Sequence, residues 1–267
     1  MREGGALDRA EHRVEGLGDR VLEIVDGFGS FALLAGATIR AARRPRFPWL
    51  ETLRQLEAIG AKSSTIVLIT AIFTGMVLAL QTGIALERFG AKLYVGSVVG
   101  LSLVRELGPV LTALMVGGRV GAGITAEIGA MQVTEQVDAI RSMGADPVQK
   151  LVLPRVLATC IALPLLTILA DVLGIFGGMV IAVSQFGLSG DFYLSTITST
   201  VTVEDMLSGI SKTVVFGWII AMVGCHTALA TTGGTVGVGR STTRAVVVAS
   251  ITVLISDFFL TKVFLSL

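Results

Sequence analysis

Two opposite charges stand beside a helix-breaking dipeptide inside a long apolar run. Residues 99–121 read VGLSLVRELGPVLTALMVGGRVG, with Arg105 and Glu106 adjacent and Gly108 and Pro109 shortly after them. Charged side chains at mid-membrane depth cost at least about 2.5 kcal/mol each and usually face a cavity or a partner. Pro109 has no N–H for the carbonyl of Arg105, four residues back, so a kink is predicted. Charge and kink together favour a polar pocket within the membrane. The alternative is a buried salt-bridge network that only fixes helix packing.

Each charge of this pair needs a partner of its own. Neighbouring residues of a helix point about 100° apart, so Arg105 and Glu106 cannot pair face to face. Asp257 stands near the middle of the last apolar run and is the candidate partner of Arg105. The predicted pocket therefore consists of Arg105, Glu106, Pro109 and Asp257.

Other reactive groups form no recognisable centre. His12 and His226 are far apart and lack neighbouring ligands, so no metal site is predicted. No nucleophile with a base and an orienting group is present, so we expect no catalysis and no cofactor in this chain. Residues 234–241, GTVGVGRS, differ from a P-loop at the required lysine and follow a membrane helix, which predicts a glycine-rich turn. Cys160 and Cys225 lie in apolar runs and are predicted to be free packing residues.

The elements that position these residues are transmembrane helices. The 267 residues are 52% apolar and only 15% charged, whereas soluble domains are about a quarter charged. A net charge of +1 argues against a nucleic-acid partner. The predicted fold class is all-α, a polytopic membrane protein with five spans. By length and hydropathy, these are about Ser64–Leu86, Val95–Ala122, Val156–Val183, Leu207–Leu229 and Ala245–Leu265.

A charged segment precedes the spans. Residues 1–16 are predicted to be a polar tail, residues 17–63 interfacial and lead-in helices, and residues 64–267 the five-span domain. The stripe from Leu17 to Ile39, followed by arginines, predicts an amphipathic helix in the membrane interface. A helix packed on the same protein is the alternative. A second short helix is predicted at about Trp49–Ala61. Loop lysines and arginines predict a cytoplasmic N-terminus and a C-terminus on the opposite side.

Small residues recur every fourth position in two spans. Ala113, Gly117 and Gly121 lie in span two, and Gly174 and Gly178 lie in span three. Such ladders let another helix approach closely. The pattern leaves open whether that helix belongs to the same chain or to a second copy.

The loop between spans two and three contains a short amphipathic helix at about residues 133–144. An apolar stripe lies on one face and charges lie on the others, and a glycine ends the helix. Such a helix can dock in a groove of another protein or lie flat on the membrane. Its residues include Glu135, Val137, Asp138, Ile140, Arg141 and Gly144.

The run RELGPVLTALMVGGRVGAGITAEIGAMQVTEQVDAIRSMGADP resembles the MlaE/YrbE family of ABC-transporter permeases, as do GGTVGVGRSTTRAVV and the closing SDFFLT. The resemblance covers about residues 40–267. It implies an MlaE-like permease in the bacterial inner membrane, with its C-terminus in the periplasm. It also implies a homodimer with two cytoplasmic ATPase subunits, which hold ATP and Mg, and an MCE-domain protein on the outer face. The implied substrate is lipid, commonly phospholipid, moved between the inner membrane and the outer envelope.

The same resemblance assigns roles to the predicted residues. The helix from Glu135 to Gly144 becomes the coupling helix that enters a groove of the ATPase. Arg105 and Glu106 line a lipid cavity at the dimer axis, with span one opposite. Three alternatives remain: a sterol or other hydrophobic substrate, a purely structural scaffold, and an ion-coupled transporter. The last would use Arg105, Glu106, Asp171 and Asp257 as a relay.

Overall fold

Five long apolar helices form the body of the protein. The computed structural model describes residues 25–44 and 48–266. Five helices are long and apolar enough to cross a membrane, which confirms the predicted all-α polytopic fold. We number them as spans one to five: Trp49–Glu87, Lys92–Val133, Val148–Phe186, Val203–Leu229 and Gly234–Phe264. The predicted polar tail, residues 1–16, lies outside the described residues.

The helices follow one another through short connections. Helix α1 covers residues 25–42, and α2, Trp49–Glu87, is span one. Span two is built from a 3₁₀ turn, two π-helical turns and three α-helices: Lys92–Tyr94, α3 Val95–Ser102, Leu103–Leu107, α4 Gly108–Val116, Gly117–Gly121 and α5 Ala122–Val133. The remaining elements are α6 Gln136–Ser142, a π-helical turn Val148–Val152, α7 Leu153–Phe186, α8 Gly190–Thr200, α9 Val203–Leu229 and α10 Gly234–Ser266.

The apolar side chains of helix α1 have different surroundings. Phe31 packs edge-on against Trp218 of span four, with ring centroids 6.0 Å apart. Phe28 and Leu33 are more than 70% exposed. The helix therefore packs on its own chain, and it also presents apolar side chains outward, as a helix in the membrane interface does.

The lead-in helix and span one are a single helix. The sequence predicts a separate helix at Trp49–Ala61 and a domain boundary at residue 63, but α2 runs unbroken from Trp49 to Glu87. Its 39 residues extend about 58 Å, nearly twice a bilayer core of about 30 Å. Ser63 does not end the helix: it is buried and accepts a hydrogen bond from Arg119 of span two.

The small-residue ladders contact helices of the same chain. A Cβ added to Gly117 or Gly121 would lie 3.5–3.6 Å from Ile220 of span four. The carbonyl of Gly174 in span three lies so close to Gly75 of span one that a Cβ added to Gly75 would overlap it. Both ladders therefore pack against helices of the same chain, which is one of the two alternatives that the sequence leaves open.

The predicted glycine-rich turn at residues 234–241 is wrong, because α10 begins at Gly234. The reversal needs only Gly233 and Gly234, which have φ values of 85° and 66°, conformations that glycine adopts without strain. Gly237 then packs against the carbonyl of Thr232, so a glycine in this first turn of the helix permits a close contact.

Candidate functional site

Span two changes its hydrogen-bonding pattern where the sequence predicts a kink. Leu103–Leu107 is a π-helical turn, and the N–H of Gly108 donates to the carbonyl of Leu103. Pro109 has no N–H, so it cannot donate to the carbonyl of Val104 or that of Arg105. Backbone carbonyls at membrane depth are tolerated where other protein groups satisfy them.

Span four supplies what Pro109 removes. The Lys212 ammonium donates to the carbonyl of Arg105 at 3.2 Å. One turn earlier, Gly209 lies so close to the carbonyl of Val104 that a Cβ would overlap it. A lysine and a glycine three residues apart thus fit span four to the irregular turn of span two.

Lys212 is also the centre of a buried ionic cluster. Its side chain is 2% exposed and its Nζ lies 2.8 Å from Oε2 of Glu106. Nζ also donates to the Thr261 hydroxyl at 2.7 Å and lies 3.3 Å from Oδ1 of Asp257. One cation therefore joins spans two, four and five, and it balances two carboxylates that would otherwise be costly inside a membrane.

Arg105 has a different partner from the predicted one. Its Nε lies 2.6 Å from Oδ1 of Asp205, at the start of span four. Asp205 also forms a capping box with Thr202, which satisfies free N–H groups at the start of α9. The predicted pairing of Arg105 with Asp257 is wrong, because Asp257 faces Lys212 instead. The prediction that Arg105 and Glu106 have separate partners is confirmed.

A cavity of about 660 Å³ adjoins this cluster. Charged, hydroxyl and apolar side chains line it: Arg105, Glu106, Glu204, Asp205 and Lys212, then Ser102, Ser208, Ser211 and Thr261, and the apolar residues Leu101, Leu207 and Phe264. Its volume is within the range of about 300–1,000 Å³ of small-molecule sites. The Arg105 side chain keeps 40% exposure beside its ion pair with Asp205, so its guanidinium is accessible to a ligand.

The lining of the cavity differs from the predicted pocket. Within this chain it is made by residues of spans two, four and five, and no residue of span one lines it. Pro109 is buried against Gly209 and shapes the backbone beneath the cavity rather than lining it. Asp257 lines a neighbouring depression, which it shares with Glu106 and Thr261.

The two most informative residues that sequence reasoning missed are Lys212 and Asp205. Lys212 is the only charged residue between Asp205 and Arg240, and a lone lysine in an apolar run is a signal for a mid-membrane site. Asp205 stands three residues after Thr202, a spacing typical of a helix N-terminus. Its second contact, with Arg105, has no signature in the sequence.

The helix predicted in the loop between spans two and three is present as α6, but two of its predicted coupling residues are buried. Val137 is 0% and Ile140 is 7% exposed in the chain's own core, so they support the helix and are not a docking surface. The exposed residues of the segment include Glu135, Asp138, Arg141, Met143 and Gly144. Gly144 has a φ of 75° and ends the helix, as predicted. A salt bridge of 3.0 Å joins Asp138 to Arg141.

Comparison with known proteins identifies this architecture. The family model described as Permease MlaE matches residues 52–263, most of the chain. The chain belongs to the MlaE permease family. Its membrane spans, its irregular second span and its exposed loop helix are therefore features of a permease subunit.

Relatives of this MlaE family member come from distant organisms. A probable ABC transporter permease of Rickettsia felis is 42% identical over 248 residues, which are 93% of this chain and 96% of the relative. The intermembrane phospholipid transport system permease protein MlaE of Haemophilus influenzae is 36% identical over 94% of this chain and 96% of its own length. The chloroplastic protein TRIGALACTOSYLDIACYLGLYCEROL 1 of Arabidopsis thaliana is 37% identical over 88% of this chain and 67% of its own length.

Proposed function

We propose that this MlaE-family permease moves phospholipids, and that the Arg105 guanidinium binds the phosphate of the lipid in the cavity. The observation that carries the proposal is the cavity itself, in which a partly exposed arginine stands beside the apolar side chains of Leu101, Leu207 and Phe264 within a membrane span. An arginine suits phosphate because its planar donors match the phosphate oxygens. The name of the Haemophilus influenzae relative, a phospholipid transport permease, supports the same substrate class.

The cavity favours this function over an ion relay. The ion-coupled alternative needs Arg105, Glu106, Asp257 and Asp171 to be connected. The first three belong to the cluster of spans two, four and five. Asp171, in contrast, lies against Gly108, and the neighbouring void is lined by spans one, two and three. The four groups do not form one continuous path.

Energy for transport comes, in this proposal, from a separate ATPase that carries ATP and Mg. Helix α6 and the residues that flank it offer an exposed surface that includes Glu135, Asp138, Arg141 and Met143. Met143 is 73% exposed, and a flexible apolar side chain of this kind is suited to a partner's groove. Movement of α6 would reach the cavity through span two, because α6 directly follows its last helix.

A second copy of the chain completes the proposed assembly. Span five buries only 11% of its most apolar window, the lowest share among the five spans. The depression beside Asp257 opens on this span and also contains Lys262. Charged groups within a membrane usually face protein, so a homodimer through span five supplies their cover.

The loop charges support an orientation, and the resemblance of the sequence to this family supports a third partner. Loop lysines and arginines favour a cytoplasmic N-terminus and a periplasmic C-terminus in the bacterial inner membrane. The cavity lies toward the end of the bundle that carries Tyr94, which is then the periplasmic side. An MCE-domain protein on that side would exchange lipid with the cavity.

Native mass spectrometry of the detergent-purified permease, with phosphatidylglycerol added, tests the substrate. We expect bound phospholipid, with affinity about tenfold lower in Arg105→Gln, because a hydrogen bond to a charged group contributes about 1.5 kcal/mol or more. Arg88→Gln removes an exposed arginine outside the cavity and serves as the matched control. Equal phospholipid binding by Arg105→Gln and the wild type would refute the phosphate contact. If the purified permease instead retains a sterol or another phosphate-free lipid, the proposed phospholipid substrate is wrong.

A further inference from the structure

Asp171 is a membrane-embedded carboxyl group that the proposed cavity does not use. It lies on α7 in span three, and its Oδ1 is enclosed without a hydrogen-bond partner among the described residues. That oxygen contacts Gly108, where an added Cβ would overlap it. Asp171 therefore packs against the end of the π-helical turn Leu103–Leu107, which carries Arg105 and Glu106.

No positive charge compensates Asp171 in the packed helices around it. Span one has no ionisable residue between Lys62 and Glu87, and Cys160 is the only other one in span three between Arg155 and Phe186. In helix α8, Asp191 is exposed, and the hydroxyl of Tyr193 lies against Gly178, two turns away from Asp171.

Charged residues inside spans two and four have partners elsewhere. Arg105 pairs with Asp205, and Lys212 pairs with Glu106 and Asp257. Arg119 donates to the hydroxyl of Ser63, and Glu127 pairs with Arg155. Burial without a partner disfavours an ionised carboxylate strongly, so Asp171 is carried as the neutral acid.

The surroundings give an ionised Asp171 little compensation. A void of about 20 Å³ lies beside Gly108 and Ala170, with Thr70, Thr74 and Thr112 among its lining residues. This space holds about one water molecule. Ionisation would therefore require the helices to separate and admit more water.

We propose that protonated Asp171 is a positioning residue, which holds the π-helical turn of span two against span three and so fixes Arg105 and Glu106 for transport. Ionisation of Asp171 loosens this contact and lowers the transport rate. The inference rests on the proposed function for its transport readout, and on the structure alone for the contact with Gly108.

The test measures ATP-driven transfer of phosphatidylglycerol by the reconstituted complex between about pH 6 and about pH 9.5. We expect wild-type transfer to fall about fivefold or more toward alkaline pH as the neutral form is lost. Asp171→Asn cannot ionise, so its transfer should stay within about twofold across the range. Asp171→Ser provides a second neutral side chain. Asp191→Asn removes an exposed carboxyl outside the spans and should keep the wild-type profile.

Hydrogen exchange of the peptide that contains residues 103–109 gives a readout that needs no substrate. After correction for intrinsic exchange, protection of this peptide should fall at alkaline pH in the wild type and stay constant in Asp171→Asn. Identical pH profiles for wild type and Asp171→Asn in both measurements would overturn the inference. Folded but inactive Asp171→Asn and Asp171→Ser variants at neutral pH would also overturn it. A pH-dependent exchange difference without any phospholipid transfer would refute the proposed substrate and leave the role of Asp171 intact.

Discussion

Replacement of Lys212 by methionine removes one charge from the centre of the bundle while keeping a side chain of similar length. Lys212 is 2% exposed and contacts Glu106, Asp257, Thr261 and the carbonyl of Arg105. The variant Lys212→Met leaves two carboxylates without their cation and one carbonyl without a donor. We expect the free energy of unfolding to decrease markedly.

The magnitude follows from these contacts. Removal of one partner of a buried ion pair costs about 3–5 kcal/mol, and an unsatisfied buried carbonyl costs about 1–3 kcal/mol more. Glu106 is 38% exposed, so water recovers part of this loss. We therefore expect about 3 kcal/mol in total, or a lowering of the melting temperature by about 6–12 °C at this chain length.

Thermal unfolding of the detergent-solubilised permease measures this effect. Lys150→Met replaces an exposed lysine and should change stability by less than about 0.5 kcal/mol. The double variant Lys212→Met/Glu106→Gln removes the stranded carboxylate together with the cation. It should be more stable than Lys212→Met by about 1 kcal/mol or more, because the two residues are coupled.

Two results would refute this reasoning. If Lys212→Met melts within about 2 °C of the wild type, the cluster does not hold spans two, four and five together. If the double variant is no more stable than the single one, Glu106 is solvated independently of Lys212.

Two further predictions concern helix packing and the loop helix. Gly75→Ala should destabilise the protein by about 2 kcal/mol, because its Cβ would overlap the carbonyl of Gly174. Gly60→Ala lies in open space on the same helix and should not destabilise the protein. Equal melting temperatures of the two variants would contradict the proposed contact between Gly75 and Gly174. Ile140→Asp should cost at least about 3 kcal/mol, since it places a charge in the core. Met143→Asp should leave stability unchanged and weaken co-purification of the ATPase, and unchanged co-purification would exclude Met143 from the docking surface.

The sequence alone determined the features that depend on local composition and local periodicity. Five spans follow from the length of the apolar runs, because a bilayer core sets the minimum length of each helix. The irregularity of span two follows from Pro109, which lacks an N–H wherever it is placed. The end of α6 follows from Gly144, since few other residues adopt its positive φ. These properties need no knowledge of neighbouring helices.

Only the tertiary structure decided which groups meet. Lys212 and Glu106 are 106 residues apart in sequence, and their contact depends on the rotation and axial position of two helices. The same geometry pairs Arg105 with Asp205 and not with Asp257, and it buries Ile140 in the core. Hydropathy predicts that a residue lies in the membrane, but it does not predict the direction in which its side chain leaves the helix. Packing against the neighbouring spans selects which face lines the cavity.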